Sequence, residues 1–367
     1  MSTSDNFDRT SLFETHQRLN ARIVEFAGWE MPIQYGGILE EVNQVRSNAG
    51  LFDVSHMGRL EIEGPYAAMM LDRVLSVNVP KLRQGRARYN VICDENGGII
   101  DDCIIYRRGA EKFLLIPNAS NTPPVVKWLE RWTPDDAQLT ITNVTTQTAM
   151  IACQGPNSVE YLQKLTETDL SAVRPFRAID AQVLGHDSFL ARTGYTGEDG
   201  FEIILPAEAA SDIWRGLMDL GAAACGLGAR DVLRLEAGLL LHGNDMDTSI
   251  NPYEAALDKF VDPDRDGYVA GQILRKIRDE GPSRKLAAFS MIGRGIPRHG
   301  YVISDGQNAI GEVSSGGPSP TLDMNIGMGY VPIEYSTLGS TIFIEIRGRP
   351  VEAKVTTLPF YTRRRNA

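Results

Sequence analysis

Residues 278–285 read RDEGPSRK, and the chain changes texture across them. Downstream, from Leu286 to Tyr361, short alternating runs are broken about every ten residues by turn formers: GRGIPRHG (293–300), SDGQNA (304–309), SSGGPSP (314–320) and IRGRP (346–350). After the last of these, Val351, Ala353 and Val355 fall on one side of an extended chain, with Glu352 and Lys354 on the other. That period of two marks a half-buried strand. The segment predicts an all-β module, a barrel or a sandwich. Upstream, strand-like and helix-like runs alternate. FLLIPNASN (113–121) is an apolar strand closed by turn formers. NSVEYLQKLTE (157–167) puts Val159, Leu162 and Leu165 on one helical face, with Asn157 or Ser158 placed to cap it. SDIWRGLMDLG (211–221) repeats the pattern with Ile213, Trp214, Leu217 and Met218 and stops at Gly221. The fold class is α+β, with the boundary expected between a mixed region, 1–283, and a β module, 284–367.

The chain has 367 residues, 43% hydrophobic and 23% charged, the balance of an ordinary globular protein. Its 37 basic and 47 acidic side chains leave a formal net charge of −10, so no nucleic-acid or anionic-membrane partner is expected through the overall field. Cys93, Cys103, Cys153 and Cys225 form no CxxC pair, and the five histidines form no HxxxH pair, so no metal site is expected. The opening MSTSDNFDRTSLFETH has neither the basic nor the apolar part of a signal peptide, and no apolar run approaches membrane-spanning length. A soluble, cytoplasmic protein is the expectation.

Three motifs invite chemistry that their details refuse. In DPDRDG (262–267) the acidic spacing suits a calcium loop, but the position that needs a bidentate glutamate is Ile273. In GLGARD (226–231) the third glycine of a dinucleotide loop is replaced by Asp231, and a helical run rather than a strand lies upstream. In DVSHM (53–57), Asp53, Ser55 and His56 are too close in sequence to converge as a nucleophilic triad.

Five other segments combine glycine turns with acids, arginines and tyrosines: NGGIIDD (96–102), RTGYTGEDGFE (192–202), GLGARDVLRLEAG (226–238), HGNDMD (242–247) and PFYTRR (359–364). Each alone has a structural explanation. Together they suggest a pocket for a planar, polar heterocycle with an anionic tail. A carboxylate can take paired hydrogen bonds from an amino-pyrimidine edge, arginine can hold the tail, and tyrosine offers a flat face.

These strings, with LFETHQRLNARIVEFAGWEMPIQY (12–35) and GLFDVSHMG (50–58), resemble the T-protein family of the glycine cleavage system, the tetrahydrofolate-dependent aminomethyltransferases. The resemblance runs in order from about Leu12 to Tyr361. It implies a three-domain, cloverleaf-like fold: two interleaved α+β domains around a central folate channel, and a C-terminal β-barrel. It implies transfer of the methylene of an aminomethyl group from the lipoyl arm of the H-protein to tetrahydrofolate, with release of ammonia. By the resemblance, Asp102 of IIDD is the catalytic carboxylate beside the reactive pterin nitrogens, and Glu202 grips the pterin amino edge. Met57, Tyr89, Ile104, Tyr106 and Tyr195 match channel-lining positions. Arg230 matches a substrate-contacting arginine, and Asn118, Tyr361 and Arg363 stand at comparable places.

The chain departs from the family pattern at His242, where tyrosine is commoner, near Lys259, where a tryptophan is usual, and at Pro124, where an acid is expected. An alternative of the same family is a folate-dependent demethylase acting on a small onium or N-methyl compound. The non-catalytic folate-binding relatives of iron–sulfur assembly carry a lysine-glycine-cysteine signature that is missing from RTGYTGEDG (192–200).

Overall fold

The structure is a computed structural model and describes residues 7–363. A six-stranded sheet is ordered Ala178–Val183, His186–Ala191, Gly200–Pro206, Thr148–Gln154, Gly50–Asp53, Ala223–Ala224. A five-stranded antiparallel sheet is ordered Ala87–Cys93, Ile99–Arg107, Lys112–Ile116, Leu60–Glu63, Thr140–Asn143. The chain leaves the first sheet after Gly50–Asp53, builds all of the second, and returns through Thr148–Gln154 to pair beside its starting point. That return interleaves the two domains. The third lobe is a closed six-stranded barrel beginning at Arg284–Met291.

Strand alternation decides which residues meet. Along Gly200–Pro206, Phe201, Ile203 and Leu205 pack under the helices Ser158–Gln163 and Ala210–Asp219, with Ile213, Trp214 and Leu217. The intervening Ile204 joins Met150 and Ala152 against Tyr106, Leu114 and Ile116 of the five-stranded sheet. Cys103, Ile105, Phe113 and Leu115 point the other way, beneath the helices Ala67–Val74 and Thr122–Arg131. The two sheets therefore lie face to face, each backed by helices.

The barrel interior is filled by Phe289, Ile303, Val313, Val331, Ile342, Ile344, Ala353 and Val355, and Val351 packs at its edge. The alternation of residues 351–355 is thus realised. IRGRP makes the turn before it, with Arg347 at φ 54° and Gly348 at φ 75°, the pair of left-handed residues that a tight hairpin requires. Alternate residues of the first barrel strand, Leu286 and Ala288, face outward onto Val91, Ile99, Leu235 and Met246. A buried ion pair joins the lobes. Arg234, on the helix Leu227–Glu236, donates to Asp245 Oδ2 (2.7 Å) and to Ser315 Oγ of the barrel (2.7 Å), and Ser314 Oγ donates to Asp245 Oδ1 (2.5 Å).

Two local expectations are corrected. Neither Asn157 nor Ser158 caps its helix: Asn157 Nδ2 donates to Asn48 Oδ1 (3.0 Å), and Ser158 Oγ donates to the carbonyls of Gly155 and Asp199. These bonds turn both side chains away from the free helix N–H groups, and the helix closes at Gln163, before Leu165. Upstream of GLGARD, the two-residue strand Ala223–Ala224 separates the helix from the motif. Gly226 then packs against the backbone of Ile33, where a Cβ would lie 2.3 Å from its carbonyl carbon, so its glycine serves chain packing. DVSHM is also structural. Asp53 pairs with His16 Nε2 (2.8 Å) and accepts from Thr10 Oγ1 (2.6 Å), rather than turning to His56. Burial works to raise the Asp53 carboxyl, but the His16 hydrogen bond and charge outweigh it and hold it at about 2.

Candidate active site

The Asn96–Gly98 turn sets the strand that carries the acids. Asp94 N–H donates to Gly98 O (2.9 Å), and Gly97 adopts φ +88°. On Ile99–Arg107, alternation then sends Asp102, Ile104 and Tyr106 toward the six-stranded sheet, with Asp101, Cys103 and Ile105 on the opposite face. Asp102 Oδ2 accepts from Tyr89 Oη (3.0 Å), a diagonal contact across the strand pair, since Tyr89 stands opposite Ile104 and Val91 opposite Asp102. Asp102 Oδ1 accepts from Asn118 Nδ2 (2.8 Å), and the same amide reaches Asp101 Oδ1 (2.8 Å). Asp101 also accepts from Asn118 N–H (3.0 Å) and Asn121 Nδ2 (2.7 Å).

Two adjacent carboxylates, Asp101 buried and Asp102 half-buried, thus share the Asn118 side-chain amide. Burial raises the proton affinity of Asp102, and the Asp101 charge raises it further; Asn118, Tyr89 and His242 oppose the rise. Asp101 is raised by burial and eased by the two asparagines. Tyr89 is itself held protonated by burial and by Asp102, which keeps it a donor.

Glu202 is reached through a relay. Tyr106 Oη and Thr193 Oγ1 are 3.0 Å apart, and Thr193 Oγ1 donates to Glu202 Oε2 (2.6 Å). Thr193 has one hydroxyl hydrogen, so Tyr106 must donate to it. Burial raises Glu202, with Thr193 and the Arg230 charge working against it. Arg230 lies 4.7 Å over the Tyr195 ring, and burial lowers its proton affinity while Glu202 supports it. Tyr195 Oη donates to Leu240 O, which fixes the ring beneath the guanidinium. Met57 and Ile104 are half-buried against the apolar layer that contains Tyr106, Ala229 and Leu233.

The last two expected residues form a separate cluster. Tyr361 Oη donates to Glu198 Oε1 (2.7 Å), its ring lies 4.0 Å from the Arg46 guanidinium carbon, and Arg46 also binds Glu236 (2.6 Å). Arg363 pairs with Asp199 (3.4 Å). The loop that carries Tyr195 and Glu198 joins this cluster to the buried acids.

Residues that sequence reasoning did not select complete the site. Asn121 follows Asn118 by three positions in a 3₁₀ turn, a spacing that aligns side chains, so NASN held a readable signal. Its amide lies 2.9 Å from His242 Nδ1. His56 is lowered to about 3, chiefly by burial, and is a neutral ring. His56 Nδ1, Arg230 Nη1 and His242 Nε2 are buried and lack partners among the described residues. Such orphaned groups on three separate segments fit a polar ligand that would satisfy them.

The sequence model described as the GCVT N-terminal domain matches residues 12–265, and that of the glycine cleavage T-protein C-terminal barrel domain matches residues 284–362. An aminomethyltransferase of Rubrobacter xylanophilus is 47% identical over 360 residues, 98% of this chain and 95% of that protein. One from Geobacillus kaustophilus is 43% identical over 361 residues, 97% of this chain and 99% of that protein. The crystal structure of the glycine cleavage system aminomethyltransferase T from Bartonella henselae superposes with a TM-score of 0.92 at 35% identity, covering 97% of this chain and 98% of that one. With both domain models and full-length relatives in agreement with the interleaved sheets and closed barrel, the chain belongs to the glycine cleavage T-protein family.

Proposed function

We propose that this site moves the methylene of an aminomethyl group, delivered on the lipoyl arm of an H-protein, to tetrahydrofolate with release of ammonia. The observation that supports it most is the half-buried Asp102 carboxylate, oriented by Tyr89 and Asn118 and raised in proton affinity. Tetrahydrofolate would supply the two ring-proximal nitrogens that take up the methylene. Asp102 would lie beside them, steadying positive charge that develops as the carbon is handed over and holding a proton at its Oδ when one is released. Tyr89 and Asn118 hold the carboxylate in one orientation, so little reorganisation is needed during reaction. Glu202 would take the pterin amino edge, with its second partner, Thr193, already fixed by Tyr106. Arg230, Tyr195, Met57 and Ile104 would enclose the ligand and exclude water, while Tyr361 and Arg363 steady the Glu198–Asp199 loop.

The test is transfer to tetrahydrofolate by the purified chain with aminomethyl-loaded H-protein, run beside a panel of small methylated onium and N-methyl donors. Transfer from H-protein alone is expected; turnover only with a methyl donor would move the chain to the demethylase reading. Glu202→Ala and Arg230→Ala are each expected to weaken tetrahydrofolate binding by about tenfold or more, the loss of one charge-assisted contact. Isothermal calorimetry reads this directly, and unchanged affinity would remove both from the binding site. We also take 1–283 and 284–367 as the functional division of the chain, and a cytoplasmic setting as its place of action.

A further inference from the structure

Arg83, Arg86, Arg88, Arg174 and Arg177 gather on one edge of a chain whose formal net charge is −10. They come from the approach to strand Ala87–Cys93, from its second residue, Arg88, and from the turn before strand Ala178–Val183. Backbone bonds draw these together: Ala87 N–H donates to Phe176 O (3.0 Å), and Ala178 N–H to Gly85 O (3.0 Å). The positive charges oppose one another, Arg177 acting most strongly on Arg86. None of the five forms an ion pair with a described carboxylate, although nearby Arg108 and Arg192 do, with Asp180 and Asp199. An acidic chain that leaves five guanidinium groups without ion-pair partners among the described residues presents a surface suited to an external anion.

Phe176 stands among them, 48% exposed and at φ 57°, a left-handed backbone that an aromatic residue rarely adopts. Its N–H donates to Arg192 O (3.0 Å), and its carbonyl accepts from Ala87, so the fold holds the ring out. The patch adjoins both halves of the active site. Arg88 precedes Tyr89, which holds Asp102, and the 174–177 turn is bonded on both sides to Arg192, which precedes Thr193, the partner of Glu202.

We propose that this patch docks a carboxylate-rich face of the H-protein, an inference that rests on the aminomethyl-transfer reading above. Guanidinium forks bind carboxylates in pairs, and an exposed aromatic ringed by arginines has the composition of a protein-interface anchor. Charge complementarity of this kind also speeds encounter at low salt.

The variant Arg83→Glu/Arg86→Glu/Arg88→Glu/Arg174→Glu tests it. The expected result is a rise in KM for aminomethyl-loaded H-protein of about tenfold or more at low salt, with kcat within about twofold. The wild-type KM should climb with ionic strength and the variant's should not. Turnover with free aminomethyl-dihydrolipoamide and affinity for tetrahydrofolate should stay the same. Phe176→Ala should raise the H-protein KM as well. If the fourfold variant does not fold, Arg88→Glu and Arg174→Glu singly should each raise that KM about threefold.

An unchanged KM for H-protein would overturn the proposal, as would an equal loss with the free donor. An effect confined to polyglutamyl folates would overturn it too, by assigning the patch to the glutamyl tail. If wild-type protein transfers from neither donor, the activity reading itself fails. Transfer that is normal in wild type and insensitive to the patch sinks the docking proposal alone.

Discussion

Asp102→Asn is expected to lower kcat for methylene transfer by about 10²–10³, the scale of removing one preorganised electrostatic contact, while changing the KM for tetrahydrofolate little. The substitution keeps the shape of the side chain. Asn118 can still donate to the remaining oxygen, and the Tyr89 hydroxyl can accept from the new amide in place of donating. What disappears is the negative charge and the ability to hold a proton. Steady-state kinetics with loaded H-protein decides the matter; wild-type turnover in the variant would show that Asp102 is not the catalytic group.

The same variant makes a second, independent statement about pH. Folding raises the proton affinities of Asp101 and Asp102, mainly through burial. The stability they contribute is therefore whole below the ordinary carboxylate range near pH 4 and is lost as pH rises through their elevated folded values. Asp102→Asn removes one of the two, so its Tm should fall less than that of the wild type between acid and neutral pH, and at pH 8 should equal or exceed it. A variant that is uniformly less stable at every pH would show that the charge is not disfavoured where it sits.

Arg234→Met is expected to cost about 3–5 kcal/mol of stability, because it strands the Asp245 carboxylate in a fully buried site. Asp245 would keep donors from Ser314, Ser315 and the Leu241 N–H but would lose the Arg234 guanidinium, its one ion-pair partner among the described residues. The adjoining Arg234 bond to Ser315 is also lost, loosening the helix Leu227–Glu236 from the barrel. Since that helix carries Arg230, tetrahydrofolate affinity should fall with it. Adding Asp245→Asn should restore much of the loss by removing the unpaired charge. Arg131→Met, which breaks the exposed pair with Glu95, should change stability by less than about 1 kcal/mol. Urea unfolding midpoints measure all three; equal effects for Arg234 and Arg131 would mean that the buried pair does not join the lobes.

Features with a short sequence period were readable before any coordinates. The alternation of Val351, Ala353 and Val355 marked a half-buried strand, the turn clusters after residue 285 marked the β module, and Gly221 ended its helix where expected. These follow from backbone geometry within a few residues, which sequence writes directly. Partner choice across long separations was not readable in the same way. Asp53 takes His16 and ignores His56 three positions away; Ser158 gives its hydroxyl to the distant Asp199 carbonyl as well as to Gly155; Asn121 shares one amide between Asp101 and His242. Glu202 gains its link to Tyr106 only because Thr193 lies between the two sheets. Such pairings depend on strand register and on how two sheets pack, and those depend on the whole chain folding back on itself. Local preference names the groups; the long-range contacts choose which of them meet.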